Sequence, residues 1–308
     1  VCGIGQINAE SPAEVAAISA IAAEMNYVAP VALRVNVDVD PGTHAKISTG
    51  QRDTKFGIST DGRVASDLYQ QLVNDPHIVP AGLAVHIGSQ IRDLVPFEHA
   101  YSALLALAID LRDAGFPVPH LDLGGGVGVD YNTASPTDFT EYGALVERLF
   151  AGQGFSLGFE PGRSIVANNG VLITRVIYVK QGDNKRFIIV DAAMNDLLRP
   201  TLYGAHHAIC TLDETGISTG KADIVGPVCE TGDYLGLDYD MPDLSAGDAL
   251  AILSTGAYGA VMASNYNSRS PAAEVMVIDG EAHLLRPTRT IDDYINDETI
   301  PHIANMSS

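Results

Sequence analysis

Short, predominantly apolar runs recur through the first half of the chain, and most are followed by a helical pattern. The runs lie at Val1 to Asn8, Val31 to Val37, Gly82 to Gly88, His120 to Gly124 and Phe155 to Phe159. After the first, Ser11-Pro12 caps a helix in which Val15, Ile18, Ile21 and Ala22 recur at helical spacing. Further helices are predicted from about Val64 to Val73, with Asp61 near the start, from Phe97 to Ala114, and from about Thr137 to Phe150. A strand with one wet face alternates apolar and polar residues, whereas one buried on both faces does not. Predominantly apolar strands separated by helices therefore predict a parallel sheet covered on both sides.

The polar and glycine residues of these runs collect at their C-terminal ends: Asn8 and Glu10, Asn36, His86 to Ser89, the glycines after Leu123, and Glu160. In a β/α barrel that is the face that carries chemistry. A closed barrel takes eight units and the pattern counts five, so either the sheet is open or three units lie outside this sequence. The chain also starts directly in a strand with no initiating methionine, as though an upstream segment were missing.

Past Arg163 the period changes. Val171 to Lys180 and Phe187 to Val190 flank Gly182-Asp183-Asn184, and Val275 to Ile278 and Ala282 to Leu285 flank Asp279-Gly280; both read as hairpins. More strands are predicted at Ala222 to Val228 and Ala249 to Leu253, with a short helix near Ala260 to Asn265. The expected organisation is a βα domain over residues 1–168 and a sandwich- or barrel-like β domain over residues 169–308.

Composition narrows the partners. With 308 residues, 46% of them hydrophobic, the chain can bury two cores. The 38 acidic residues against 18 basic ones give a formal charge of −20, which repels nucleic acid and anionic membranes and resembles a salt-adapted surface. Cys2, Cys210 and Cys229 are too few and too scattered for a disulfide framework or a zinc site, which fits a reducing cytoplasm. No run of about 18 apolar residues and no basic-then-apolar start appears, so neither a membrane span nor a signal peptide is expected.

Several clusters carry chemistry. Leu157 to Arg163 ends an apolar run in a carboxylate, a Pro161-Gly162 turn and a guanidinium. Such a carboxylate can hold a proton on a ring nitrogen, and the arginine has the planar donors to grip phosphate or carboxylate. Gly124-Gly125-Gly126 follows a strand directly, where backbone N–H groups can approach a phosphate. The spacing misses a dinucleotide fingerprint, because Val129 stands where the third glycine belongs, and no P-loop lysine follows. His86 and Ser89 sit at another strand end. His206 and His207, being adjacent, point in different directions and are read as non-ligands; no metal site is expected. The β region contributes Arg199, Tyr203, Cys229, Glu230 and Tyr258, each a polar group after a turn.

In order along the chain, GQINAES, DTKFGIS at 53–59, HIGSQ, LDLGGG, EPGR, LLRPTLYGAHH, GPVCETGD, GAYG and RPTRT closely resemble the diaminopimelate decarboxylase family, pyridoxal-phosphate enzymes with the alanine racemase and ornithine decarboxylase fold. The resemblance covers essentially the whole chain. It implies a (β/α)8 barrel followed by a β domain, pyridoxal phosphate as cofactor, an amino-acid substrate, and a homodimer with shared active sites. It implies that Glu160 pairs with the pyridine nitrogen, that His86 stacks on the ring, and that Ser89, Gly124, Gly125, Gly126, Pro161, Gly162, Arg163 and Tyr258 hold the cofactor. Arg163, Arg199, Tyr203, Glu230 and Tyr258 would line the substrate site, with Cys229 as proton donor. The family anchors its cofactor on a lysine after the first barrel strand; the lysines here are Lys46, Lys55, Lys180, Lys185 and Lys221, and none stands in that context. The expectation is a C-terminal two-thirds of such an enzyme, inactive by itself. A relative acting on carboxynorspermidine or ornithine, or a non-catalytic regulator of the same fold, stands as the alternative.

Overall fold

A computed structural model describes residues 3–40, 42, 55–135, 137–212 and 217–299. The chain forms two compact units, Val1–Asp130 with Ser135–Ile165, and Tyr131–Ala134 with Val166–Ser308.

In the first unit the strands are β1 (Ile7–Ala9), β2 (Ala29–Asn36), β3 (Ile58–Ser59), β4 (Ile78–Val85), β5 (His120–Asp122) and β6 (Ser156–Gly158). The main helices are α1 (Pro12–Glu24), α2 (Val64–Asn74), α3 (Val95–Asp113) and α4 (Thr140–Phe150). The strands run in the order β1-β2-β4-β5-β6, with β3 beside the end of β2, and every pairing is parallel. One row of paired positions, Leu33, Leu83, Leu121 and Leu157, crosses four neighbouring strands, and the first three are fully buried. Tyr69 and Leu72 of α2 and Phe97, Tyr101 and Leu104 of α3 complete this core. The two buried phenols are satisfied: Tyr69 donates to Pro117 O at 2.7 Å and Tyr101 to Leu123 O at 3.2 Å.

The sheet is strongly curled. The strand order puts β1 and β6 at opposite edges, roughly 19 Å apart in a flat sheet at about 4.8 Å per strand. Yet Asn8 Nδ2 lies 3.5 Å from Asp122 Oδ2 on β5 and 3.5 Å from Glu160 Oε1 just past β6. A barrel-like curvature is what brings these edges together.

The elements depart from the sequence reading where local chemistry hid them. The first strand is only Ile7–Ala9; Val1 and Cys2 lie outside the described residues. Strand β4 starts at Ile78 rather than Gly82, because Pro80, which disguises a strand, is absorbed at a bulge: Val31 pairs with Pro80 and Ala32 with Gly82, leaving Ala81 unpaired. The two-residue β3 is too short for any periodic signal. Helix α1 is capped as predicted, Ser11 accepting from Glu14 N at 3.2 Å, but Ile21 faces outward and Val15 and Ala22 make the buried side.

The second unit holds β7 (Leu172–Gln181), β8 (Arg186–Val190), β9 (Ile209–Thr211), β10 (Gly220–Val225), β11 (Tyr234–Met241) and β12 (Ala249–Ile252) in a sheet ordered β11-β10-β8-β7-β12-β9. A separate hairpin pairs β13 (Glu274–Ile278) with β14 (Glu281–Arg286). Both predicted hairpins form, and Asp279 and Gly280 take the positive φ, 51° and 84°, that a tight hairpin turn needs. Strand β11 escaped the pattern because register shifts against β10 break its two-residue period. The short helix predicted near Ala260 resolves into two 3₁₀ turns, Ala260–Met262 and Tyr266–Ser268, separated by the extended Ala263. Among the described residues no helix is long and apolar enough to cross a membrane.

Gly82 is the most constrained point of the parallel sheet. Its φ is +145°, and an added Cβ would sit 1.9 Å from His120 O of the neighbouring strand. Gly82→Ala should therefore cost about 3 kcal/mol or more by forcing β4 and β5 apart. Chemical denaturation of the variant checks this; a loss below about 1 kcal/mol would show that the sheet gives way easily there.

Candidate active site

The curled sheet focuses charge at the C-terminal ends of its strands. Asp122, on β5 and only 6% exposed, is a carboxylate in an apolar run and so requires partners. Its Oδ1 accepts from Gly124 N at 2.9 Å and its Oδ2 from Gln6 Nε2 at 3.2 Å. Glu160 lies beside it, sharing the Asn8 amide. Partial desolvation, and then the neighbouring Asp122 carboxylate, push the Glu160 carboxyl above the usual range, with Arg34 pulling the other way. Arg34, on β2, is held by Glu10 Oε1 at 2.6 Å and donates to His86 O at 3.3 Å, while Glu10 Oε2 accepts from Gly57 N at 3.0 Å.

Three of the predicted motifs meet through backbone. Glu160 N donates to Gly124 O at 2.8 Å, and Ile91 N donates to Gly126 O at 2.9 Å. A Cβ on Gly125 would lie 2.2 Å from Glu160 O, and one on Gly126 2.3 Å from Gly88 O, so these glycines are required by close backbone approach. Gly125 N donates to His86 Nδ1 at 3.3 Å, which makes Nδ1 the acceptor and leaves the proton on Nε2. Burial, then the Arg34 charge, lowers the His86 pKa to about 4, so the imidazole is neutral at neutral pH. Arg163, 8% exposed at the start of α5 (Arg163–Val166), donates through Nε and Nη2 to Ser89 Oγ at 3.3 and 3.0 Å. Pro161 and Gly162 form the exposed link between Glu160 and that helix.

In the second unit, Arg199 opens the short helix α6 (Arg199–Tyr203), which places Tyr203 at its end. The guanidinium is buried, 4.3 Å over the Tyr131 ring, and its Nη1 donates to His207 Nε2 at 2.6 Å. His207 in turn donates through Nδ1 to Leu253 O at 2.9 Å. His206 points elsewhere, stacked on Tyr239 with ring centroids 5.0 Å apart. Cys229 and Glu230 are exposed on a turn organised by Asp233, which is 3% exposed and accepts from Met194 N and Val228 N, each at 2.7 Å. Thr201 Oγ1 donates to Gly232 O at 2.6 Å, lacing α6 to that turn. Tyr258 is 42% exposed with a left-handed φ of 59°, inside a turn where Gly256 and Gly259 each lie against carbonyl oxygens.

The first unit thus brings together His86, Ser89, Gly124, Gly125, Gly126, Glu160 and Arg163, and the second carries Arg199 and Tyr203 on α6, a helix that Thr201 laces to the turn bearing Cys229 and Glu230. The sequence reading passed over Asp122, Arg34 and Asp233; the first two were detectable as charges inside apolar strands. Of the lysines, Lys46 lies outside the described residues, as do Asp53 and Thr54 of the DTKFGIS motif. Lys55 lies 5.1 Å from the Phe56 ring centroid, Lys180 is on β7, and Lys185 and Lys221 pair with Asp223 and Asp240 at 2.8 and 2.6 Å.

A strand-end carboxylate, a glycine loop and a buried arginine beside a serine are groups of the kind that suit a phosphorylated ring cofactor. In keeping with that class, the pyridoxal-dependent decarboxylase, pyridoxal binding domain, family matches residues 1–167. The diaminopimelate decarboxylase of Zymomonas mobilis is 46% identical over 298 residues, which are 96% of this chain and 70% of that protein. The crystal structure of the Helicobacter pylori diaminopimelate decarboxylase complexed with L-lysine superposes with a TM-score of 0.88 at 38% identity, covering 94% of this chain and 72% of that one. The M. jannaschii enzyme in complex with L-lysine gives a TM-score of 0.88 at 32% identity, covering 97% and 70%. The chain belongs to the diaminopimelate decarboxylase family and spans about seven tenths of the length of these relatives.

The His86 environment generates a pH signature. The folded imidazole takes its proton near about 4, whereas an unfolded one does so near about 6.5, so the unfolded state binds more protons between those values. Stability should therefore fall as pH drops through that window, by on the order of 3 kcal/mol. Glu160, whose pKa is raised, acts in the opposite sense, so the His86 contribution is read by difference. Relative to His86→Asn, the unmodified protein without cofactor should lose that extra stability on acidification. Parallel stability curves for the two proteins would show that His86 is not desolvated.

Proposed function

We propose that this protein is a pyridoxal-phosphate-dependent carboxy-lyase that converts meso-diaminopimelate to L-lysine and carbon dioxide. The reading is carried by Glu160, a carboxylate destabilised by partial burial and by Asp122, which gains most from a cationic N–H partner. The names of the relatives favour diaminopimelate over ornithine or carboxynorspermidine. In this reading residues 1–168 are the C-terminal part of a (β/α)8 barrel with about five βα units, and residues 169–308 are the β domain. The curl that joins Asn8 to Glu160 supports the barrel.

The fit to the cofactor follows from the donor set. Glu160 would keep the pyridine nitrogen protonated, and His86, neutral with its proton on Nε2, would lie against the ring without adding charge. Ser89, Gly124, Gly125, Gly126, Gly162, Arg163 and Tyr258 would surround the phosphate, with Pro161 setting the turn. When bound, pyridoxal phosphate supplies an electron sink for the charge left as carbon dioxide departs. Arg199, stacked on Tyr131, has the charge to bind the carboxylate of the substrate's distal centre, and Glu230 the charge to bind its ammonium. Arg163, Tyr203 and Tyr258 complete the substrate site, and Cys229 Sγ delivers a proton to the carbon that lost its carboxylate. The enzyme works as a homodimer with shared sites, Cys229 and Glu230 serving the partner's cofactor. The strongly acidic surface leaves no role for nucleic acid or anionic membrane, and the setting is cytoplasmic.

Two variants, made in a full-length holoenzyme that supplies the cofactor-anchoring lysine, test this together. Glu160→Gln should lower kcat roughly a hundredfold or more with little loss of cofactor affinity. Cys229→Ala should be similarly impaired. If sites are shared, mixing the two homodimers under exchange leaves one intact site in each mixed dimer. Random pairing then restores about a quarter of full activity. Mixed dimers verified by mass that recover no activity would place Cys229 in its own subunit's site or outside the chemistry.

A further inference from the structure

Tyr266 is absent from every motif named above, yet its hydroxyl donates to Glu230 Oε2 at 2.7 Å. Both side chains reach solvent, Tyr266 being 50% exposed, and a bond so placed contributes little to folding. The backbone that delivers it is costly all the same. Asn267 and Ser268, immediately after Tyr266, both adopt left-handed conformations, φ 59° and 57°, without glycine. Each costs on the order of 1–2 kcal/mol, and such strain persists only where the surroundings over-determine it.

Here the fixing converges on one buried residue, with Arg269 Nη2 also donating to Asp191 O. Asn195, 2% exposed, donates through Nδ2 to Ser264 O at 3.3 Å, accepts through its own carbonyl from Ser264 N at 2.9 Å, and accepts at Oδ1 from Arg269 Nε at 3.2 Å. Both ends of the Tyr266 segment are thereby pinned to one point of the second unit. On the other side of the bond, Gly232 lies so that even a Cβ would stand 3.4 Å from Glu230 Oε1. Its lack of a side chain keeps space beside the second carboxylate oxygen.

We infer that Tyr266 is a positioning residue that occupies Oε2 of Glu230 and so presents Oε1 to the ammonium on the substrate centre that is not decarboxylated. The role rests on the reading of Glu230 as a substrate residue. A freely rotating glutamate would meet that ammonium at an entropic cost; a glutamate with one oxygen fixed does not. The selectivity gained is for ligands with an ammonium at that centre.

Calorimetric binding to the holoenzyme tests this, with L-lysine and with ε-aminocaproate, which lacks the α-ammonium. Tyr266→Phe should weaken L-lysine about tenfold, as expected for one lost hydrogen bond to a charged group, and leave ε-aminocaproate unchanged. Turnover of diaminopimelate should show a raised KM with kcat within about twofold. Glu230→Gln should lose the same discrimination, and the double variant should be no worse than Glu230→Gln alone. Should Tyr266→Phe match the unmodified enzyme, weaken both ligands equally, or multiply with Glu230→Gln, the positioning role is overturned while Glu230 keeps its own. Should Glu230→Gln leave the discrimination intact, the reading of Glu230 itself fails.

Discussion

The curl of the parallel sheet is the constraint on which the first unit depends. It carries the polar ends of non-adjacent strands into hydrogen-bonding range, so that Asn8 touches both Asp122 and Glu160. Two carboxylates that close would repel, and the sheet manages the cost with donors: Gln6, Asn8 and the Gly124 N–H on Asp122, and Arg34 nearby. Glu160 receives less of this help, and partial desolvation, then the Asp122 charge, raises its proton affinity. A flat sheet of the same strands would scatter these groups and leave Glu160 an ordinary surface acid.

The curl works only because the connecting loops can dock on one another. Gly125 against Glu160 O and Gly126 against Gly88 O leave no room for a side chain, so the glycine loop is clamped between the two other motifs. That clamping aims Gly125 N at His86 Nδ1, and so the imidazole tautomer is set by backbone packing. Arg163 reaches Ser89 across the same junction. Packing, protonation state and the placement of Ser89 and Arg163 are thus a single arrangement of three loops.

Much of this was legible in the sequence because it lies at strand ends, where apolar runs stop and polar groups start. Five of the six parallel strands, both hairpins and the His86, Ser89, Glu160 and Arg163 cluster follow from that punctuation. What stayed hidden was of two kinds. Strand β4 was shortened by Pro80 and Gly82, whose bulge is readable only once the β2 partner is known, and β3 and β9 are too short for periodicity. The other kind is the buried supports. Asp122 reaches Gln6 over 116 positions, Asp233 reaches Met194 over 39, His207 reaches Leu253 over 46 and Tyr266 reaches Glu230 over 36, so that even where a charge in an apolar strand stands out its partner does not. Pairings at that separation leave no local signal.

The two units treat a charged side chain in different ways, Glu160 being partly desolvated and Arg199 buried. In the first, Glu160 is an acid made less stable as an anion, so it favours a proton or a cationic N–H partner. In the second, Arg199 is held by the Tyr131 face and the Nε2 lone pair of His207, two groups that carry no negative charge when the imidazole is neutral. Those two contacts orient the guanidinium and bring no negative charge of their own to it. Had the position of His207 been filled by an aspartate, the same geometry would fix the arginine and neutralise it. The choice of a neutral acceptor with its other nitrogen bonded to Leu253 O is therefore part of the electrostatics of the second unit as much as of its packing.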